Sequence, residues 1–268
     1  MFVSKEIPLV GLNFEEIMKI KEFLLNPVKF FIKGRKILTD PQYLDVQKKS
    51  HKEVLKTPSR TVIINFLLSL SKGDTSYLEI GVRNPQDNYS HIKADKKYSV
   101  DPGLEFDENP VDFKMTSDAF FLKLSENKIL SKNIKFDVIF IDGLHLAPQV
   151  DRDIKNALMY IKDDGFIVLH DCNPPSEWHS RESYMYLHTP AKGYWNGTTW
   201  KAFLKWRSFP SLNSCCIDTD WGVGILSKNH RIGNPNKLTN PFFEFNLLEE
   251  NRKDYLNLID FESFKKHF

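Results

Sequence analysis

The pattern of apolar and polar positions divides the chain into three regions. Residues 1 to about 57 read as amphipathic and polar helix, with Phe14 to Leu25 periodic and breaks at Pro27 and Pro41, and without a strong strand. From Ser59 the pattern changes. Thr61 to Ser71 is a helix-length apolar-rich stretch, followed by the turn Lys72-Gly73-Asp74 and the strand-like run Tyr77-Leu78-Glu79-Ile80, which ends at Gly81. Tyr98-Ser99-Val100 and Phe136 to Ile141 are two further strand-like runs, and each ends on an aspartate, Asp101 and Asp142. Pro148 opens a helix with apolar positions Val150, Ile154, Ala157, Leu158 and Ile161, which Asp163-Asp164-Gly165 is expected to stop. Phe166 to Leu169 then reads as a buried strand ending at His170-Asp171. A loop rich in Pro, His and Tyr (173 to 197) leads to a helix from Thr199 to Arg207 and strands around Cys215-Ile217 and Val223-Leu226. The last 40 or so residues show no readable pattern.

Strands and helices alternating at these lengths predict parallel βαβ units, hence an α/β fold with a doubly wound, mostly parallel sheet and helices on both faces. The expected organisation is a helical cap over 1–57, a ligand-binding domain over 58–228 and an extension over 229–268. With 41% hydrophobic and 27% charged residues in 268, the chain can bury a large core, which excludes a disordered or fibrous class. Lys and Arg number 37 against 35 Asp and Glu, and the basic residues are interspersed with acids, so no nucleic-acid footprint is expected. No apolar run approaches the ~20 residues of a membrane helix, and Glu6, Glu15 and Glu16 stand where an export signal would be basic and then apolar. Neither a membrane nor an export route is expected. Three cysteines, two of them adjacent, make no disulfide framework, so the cytoplasm is the expected compartment.

In an open parallel sheet, ligands bind beyond the carboxyl ends of the strands where the winding reverses. The polar residues expected at those ends are Glu79, Gly81, Asp101, Asp142, His145, His170 and Asp171. Gly81 precedes Asp101 by 20 residues, the offset at which an acid on the second strand meets the ribose of a nucleotide bound over the first turn. The segment after Gly81 has none of the further glycines that a dinucleotide site needs, and no P-loop is present, so an adenosine-containing ligand fits better than a dinucleotide. His145 follows Asp142 by three residues and reads either as a general base near neutral pH or as a cap on the helix that Pro148 opens. Asp142 and Asp171 offer oxygen ligands suited to Mg²⁺ or a similar hard cation, or Asp171 caps a turn before Pro174. His179, His188, Trp195 and Trp200 belong to or flank the long loop and read either as lining for an acceptor pocket or as core.

The segments Leu78-Glu79-Ile80-Gly81, Val100-Asp101-Pro102-Gly103, Met115 to Phe121, Phe140-Ile141-Asp142-Gly143-Leu144-His145 and His170-Asp171-Cys172-Asn173-Pro174, in this order, resemble class I S-adenosylmethionine-dependent methyltransferases. The branch is similar to sugar and macrolide O-methyltransferases and to cephalosporin-hydroxylase-like proteins. The resemblance spans about 60 to 228 and implies a seven-stranded sheet whose last strand is antiparallel, with Val223 to Leu226 as the candidate. It implies that Glu79 and Gly81 line the methionine part of the cofactor, Asp101 holds the ribose, Ser117 and Asp118 form the adenine loop, and Asp142 faces the sulfonium. It further implies a divalent cation held by Asp142 and Asp171, although His170 and Cys172 flank Asp171 where metal-dependent relatives carry another carboxylate. The implied activity is transfer of methyl to a hydroxyl of a sugar or sugar-like metabolite, nucleotide-activated or part of a surface glycan, with His145 as base. The alternatives are a nicotinamide-dependent oxidoreductase and a non-catalytic binding or assembly protein. Apolar residues on the N-terminal helices are expected to make a homo-oligomer contact.

Overall fold

The computed structural model describes residues 13–105, 109–235 and 240–268. The stretch through residue 12, which includes Glu6, lies outside the described residues. Helix α1 (Phe14–Leu25) starts on a capping box in which the Asn13 side chain accepts from Glu16 N–H and the Glu16 carboxylate accepts from Asn13 N–H. Pro27 and Pro41 do more than break a helix. Each is the first residue of the next one, α2 (Pro27–Leu38) and α3 (Pro41–Val54), where a missing N–H is harmless. Helix α3 buries Val46, Ser50 and Glu53, whereas α2 buries nothing.

The domain proper begins with α4 (Arg60–Ser69) and β1 (Ser76–Ile80), and continues through β2 (Lys96–Val100), α5 (Ser117–Ser125), β3 (Phe136–Ile141), α6 (Ala147–Tyr160), β4 (Ile161–Leu169), α7 (Thr199–Arg207), β5 (Asn213–Ile217) and β6 (Val223–Ser227). The tail adds α8 (Phe245–Glu250), α9 (Arg252–Leu256), β7 (Leu258–Ile259) and α10 (Phe261–Lys265). The sheet has seven strands in the order β2-β1-β3-β4-β6-β5-β7, with β6 antiparallel to both its neighbours and the other pairs parallel. The winding reverses at β1, so the carboxyl ends of β1 and β3 form the switch point.

Alternation along the strands sends two sets of side chains into two cores. Leu78, Ile80, Ile139, Ile141, Ile167 and Leu169 face α5, α6 and α7, while Tyr77, Val138, Phe140, Phe166 and Val168 face α4 and Phe264 of α10. Strand β3 is buried along its whole length, as a central strand covered on both faces must be.

Two expectations need correction. Helix α6 stops at Tyr160 and not at the Asp-Asp-Gly turn: Ile161 is already extended and pairs with Phe136, and the register shifts before Phe166 meets Val138. Residues 162–165 are therefore an irregular insertion in the strand, and Gly165 is needed there because a Cβ would lie 2.8 Å from the Asp137 carbonyl. The strand Val223–Ser227 is antiparallel but not last, since the unread tail returns β7 to the sheet edge beside β5.

Candidate functional site

Gly81 leaves β1 with φ +87°, and a Cβ there would lie 2.3 Å from the carbonyl oxygen of Asp142. The loops after β1 and β3 thus touch backbone to backbone, which only glycine permits. Asp101, at the end of β2, shapes the adjoining rim: its carboxylate accepts from Val82 N–H (2.9 Å), Gly103 N–H (2.6 Å) and Asn109 Nδ2 (3.0 Å). Asn109 Oδ1 is buried beside it without a partner. Ser117 and Asp118 open α5 behind the Thr116 cap, and Gln149 and Arg152 of α6 donate to them (3.1 and 3.2 Å). Glu79 is turned inward, accepting from Tyr77 Oη (2.5 Å) and Asn88 Nδ2 (2.9 Å), and its burial pushes its pKa up to about 7.

Beyond β3 and β4 the chain builds a compact cluster of acids and imidazoles. His145 Nδ1 lies 2.7 Å from Asp171 Oδ2, and its Nε2 lies 3.5 Å from Asp142 Oδ1. His170 Nδ1 is 3.2 Å from both Asp142 Oδ1 and Asp171 Oδ2, and its Nε2 is 3.2 Å from Asp220 Oδ1. Arg60, at the start of α4, places its guanidinium 3.3 Å from Asp220 Oδ2 and 3.8 Å from Asp142 Oδ2, and its backbone N–H donates to Asp220. Burial disfavours charge on Arg60, His145, His170, Asp171 and Asp220, but opposite charges offset it. Asp171 and Asp142 raise the pKa of both imidazoles above the usual histidine value, while the two histidines hold Asp171, and His170 with Arg60 holds Asp220, well below the usual carboxylate range.

Local geometry fixes this cluster at a cost. His145 (φ 46°), Asp171 (φ 60°), Asp220 (φ 45°) and Trp221 (φ 64°) all take the left-handed backbone that non-glycine residues avoid. Three loops interlock to hold them there. Thr198 N–H donates to the His145 carbonyl (2.7 Å), and Gly197 passes so close that a Cβ would lie 2.2 Å from that oxygen. Cys172 and Asn173 N–H donate to the Gly222 and Trp221 carbonyls, each at 2.9 Å. Asn196, fully buried, donates to Asp171 Oδ1 at 2.8 Å. Trp195 stacks on the His145 ring (5.3 Å between centroids, 14° between planes) and donates its Nε1–H to the Arg181 carbonyl.

The remaining loop residues divide. His179 is wholly buried between Ser50 and Ser176, and burial pushes its pKa down to about 4. His188 is exposed. Trp200 is core, packed on Phe243 and Phe245, yet its Nε1 is buried without a partner. It also lines a cleft of about 500 Å³ together with Trp178, Arg181 and Phe243.

Ligand atoms of Asp142, His170 and Asp171 all lie within 4.8 Å of one another. Asp142 Oδ1 is buried with no hydrogen bond, and His145 Nδ1 likewise makes none despite its nearness to Asp171. Two carboxylates and one imidazole with an unsatisfied oxygen fit a divalent cation such as Mg²⁺ or Mn²⁺. The unpartnered Asn109 Oδ1 on the Asp101 rim similarly fits a polar ligand such as a ribose. Of the residues expected from sequence, the structure brings Asp142, His145, His170 and Asp171 together and adds Arg60, Asp220 and Asn196. Asp101 and Gly81 stand on the neighbouring rim, Ser117 and Asp118 on the next helix, and Glu79 in the core below.

Residues 85–172 match a family model described as a methyltransferase domain. No curated protein matches. Among solved structures, an O-methyltransferase of Klebsiella pneumoniae is similar at 15% identity, over 79% of this chain and 96% of that one, with a TM-score of 0.42. The Bacillus cereus O-methyltransferase in complex with SAH is similar at 15% identity, over 75% and 97%, with 0.41. The MycE methyltransferase of mycinamycin biosynthesis, in complex with Mg, SAH and mycinamycin VI, is similar at 14% identity, over 89% and 68%, with 0.40. Identities and scores of this size carry no argument about substrate or metal. The sheet order and the match over 85–172 are what count: residues 85–172, from the loop after β1 to just past β4, are similar to a methyltransferase domain.

Proposed function

We propose that the protein is an S-adenosylmethionine-dependent methyltransferase acting on a hydroxyl of a sugar or sugar-like metabolite, with His145 as general base beside a divalent cation held by Asp142, His170 and Asp171. The observation that carries the reading is the convergence of the His145 imidazole on Asp171 and Asp142 at the switch point. Bound S-adenosylmethionine would supply the methyl group and leave as S-adenosylhomocysteine, and His145 would take the proton from the acceptor hydroxyl. Asp171 Oδ2 lies 2.7 Å from Nδ1 and attracts the imidazole electrostatically, while Nε2, 3.5 Å from Asp142 Oδ1, is the nitrogen that would receive the acceptor's proton. Asn196 fixes Asp171, and Trp195 keeps the ring from swinging while it shields the site from water. A bound cation would lower the pKa of an acceptor hydroxyl and offset the carboxylate charges that raise the pKa of both imidazoles. Asp101 with Asn109 would hold the cofactor ribose, Ser117 and Asp118 the adenine, and the Gly81 turn the methionine end. The exposed Trp178 and the half-buried Phe243 of the cleft suit stacking on sugar rings. In this reading 1–57 is a cap, 58–228 the catalytic domain and 229–268 an extension that completes the sheet edge.

Calorimetric titration of the cofactor-stripped protein with S-adenosylhomocysteine, with NAD as control and Asp101→Ala as the variant, tests the frame. Micromolar binding that the variant abolishes is expected, followed by methylation within a panel of free and nucleotide-linked sugars assayed with and without Mg²⁺. Binding of NAD instead, or methylation of a nitrogen or carbon acceptor only, overturns the reading.

A further inference from the structure

We propose that the α1–α2 hairpin docks the protein on an anionic lipid surface. Helix α2 has no buried residue. Val28, Phe31, Ile32 and Leu38 recur at three- and four-residue steps or their sums and so share one face, and they are exposed at 67%, 72%, 50% and 58%. On α1, Phe14 (78%) and Leu24 (68%) are exposed as well. Phe30 instead turns back toward α1, where it meets Phe23 edge to face.

The charges on α2 identify the occupant. Its only ionisable residues are Lys29, Lys33, Arg35 and Lys36. Lys29, Lys33 and Lys36 follow one another at helical spacing and form a stripe along one flank of the apolar face, and Arg35 lies within that face. Lys29 is paired with Glu22 at 3.3 Å, whereas Lys33, Arg35 and Lys36 make no ion pair among the described residues. A second copy docked isologously, α2 against α2, would bring this cationic surface against itself. Anionic headgroups complement it, while the exposed aromatic and aliphatic side chains enter the headgroup boundary and the lysine stems reach outward. No described helix is long and apolar enough to cross a membrane, so the contact is one of surface and not of span.

Co-sedimentation of the full chain with vesicles tests this, using phosphatidylglycerol mixed equally with phosphatidylcholine against phosphatidylcholine alone. The expected result is partition onto the anionic vesicles only, weakening as salt rises. Replacing Lys33, Arg35 and Lys36 with Gln should weaken it by about a hundredfold, since losing each basic residue near such a surface changes partition roughly fivefold. Phe31→Ser should also weaken it, though less steeply with salt. Because α2 buries nothing, both variants should keep the wild-type melting temperature, which checks that the fold is intact. Equal binding to neutral vesicles, or no binding to anionic ones, overturns the proposal. So does a dimer in light scattering that Phe31→Ser dissociates while vesicle partition is unchanged, since the face then belongs to a second copy.

Discussion

Replacing Asn196 with Asp keeps the shape of the side chain and exchanges its donating amide for a second carboxylate beside Asp171. The native amide is fully buried and donates to Asp171 Oδ1 at 2.8 Å, so the packing change is small and the electrical one large. Two carboxylates about 4 Å apart repel by about 4 kcal/mol at the effective dielectric of such sites. The new group therefore takes up a proton, and its folded pKa rises above the unfolded value of about 4. A raised carboxyl contributes full stability below its unfolded pKa and loses it as pH climbs through the folded pKa. The deficit relative to wild type should thus be several kcal/mol near pH 7.5 and shrink toward pH 5. For a chain of 268 residues, ~0.6 kcal/mol/K of unfolding entropy converts 4 kcal/mol into about 7 °C. Thermal melts of both proteins at pH 7.5 and 5.5 read this directly, each variant compared with wild type at the same pH because His145 and His170 titrate as well. A shift below about 1 °C, or one that is the same at both values, would mean that Asn196 does not orient a charged Asp171.

His145→Ala should lower turnover by 10²–10⁴-fold, the usual contribution of a positioned base, while S-adenosylhomocysteine affinity stays within a few-fold; unchanged turnover removes the base from the mechanism. Mg²⁺ or Mn²⁺ should bind in calorimetry and release protons from the histidines, and Asp142→Asn should weaken that binding at least tenfold; activity that survives exhaustive chelation would exclude a catalytic cation. Glu79 has its pKa raised from 4.5 to about 7 by burial, so it favours the fold below pH 4.5 and this contribution fades as pH rises to 7. Glu79→Gln should accordingly flatten the fall in denaturation midpoint between pH 5 and 8, and an unchanged slope would refute the assignment. Gly81→Ala should unfold the protein or lower its melting temperature by more than about 5 °C, because the Cβ has only 2.3 Å to the Asp142 carbonyl and φ is +87°.

The central strands and their aspartates were legible because a parallel sheet covered on both faces needs continuous apolar runs, and Phe136–Ile141 and Phe166–Leu169 are such runs. The end of α6 was not, because Ile161 fits the helical spacing of Val150, Ile154 and Ala157 while its pairing with Phe136 is decided by a neighbouring strand. The tail was illegible for a related reason. Helices of five or six residues and the two-residue strand β7 are too short to show a period. In the site, Asp142 and Asp171 announce themselves by ending strands. Arg60 and Asp220 do not, being separated by 160 residues and joined only when the β5–β6 turn packs on the start of α4. His170 was visible as a strand-end residue but stood out only as a departure from a carboxylate pattern. Its Nδ1, equidistant at 3.2 Å from Asp142 and Asp171, makes it a member of the cluster.

The left-handed backbone at His145, Asp171, Asp220 and Trp221 also bears on how the molecule would respond to selection. Each such residue carries ~1–3 kcal/mol of conformational strain that glycine or asparagine would relieve. A library screened for heat resistance alone should therefore enrich Gly or Asn at position 145, while the same library screened for methyl transfer should reject them. Heat tolerance and turnover would then pull one codon in opposite directions, and the position where the two screens disagree most would mark the base without any acceptor having been identified.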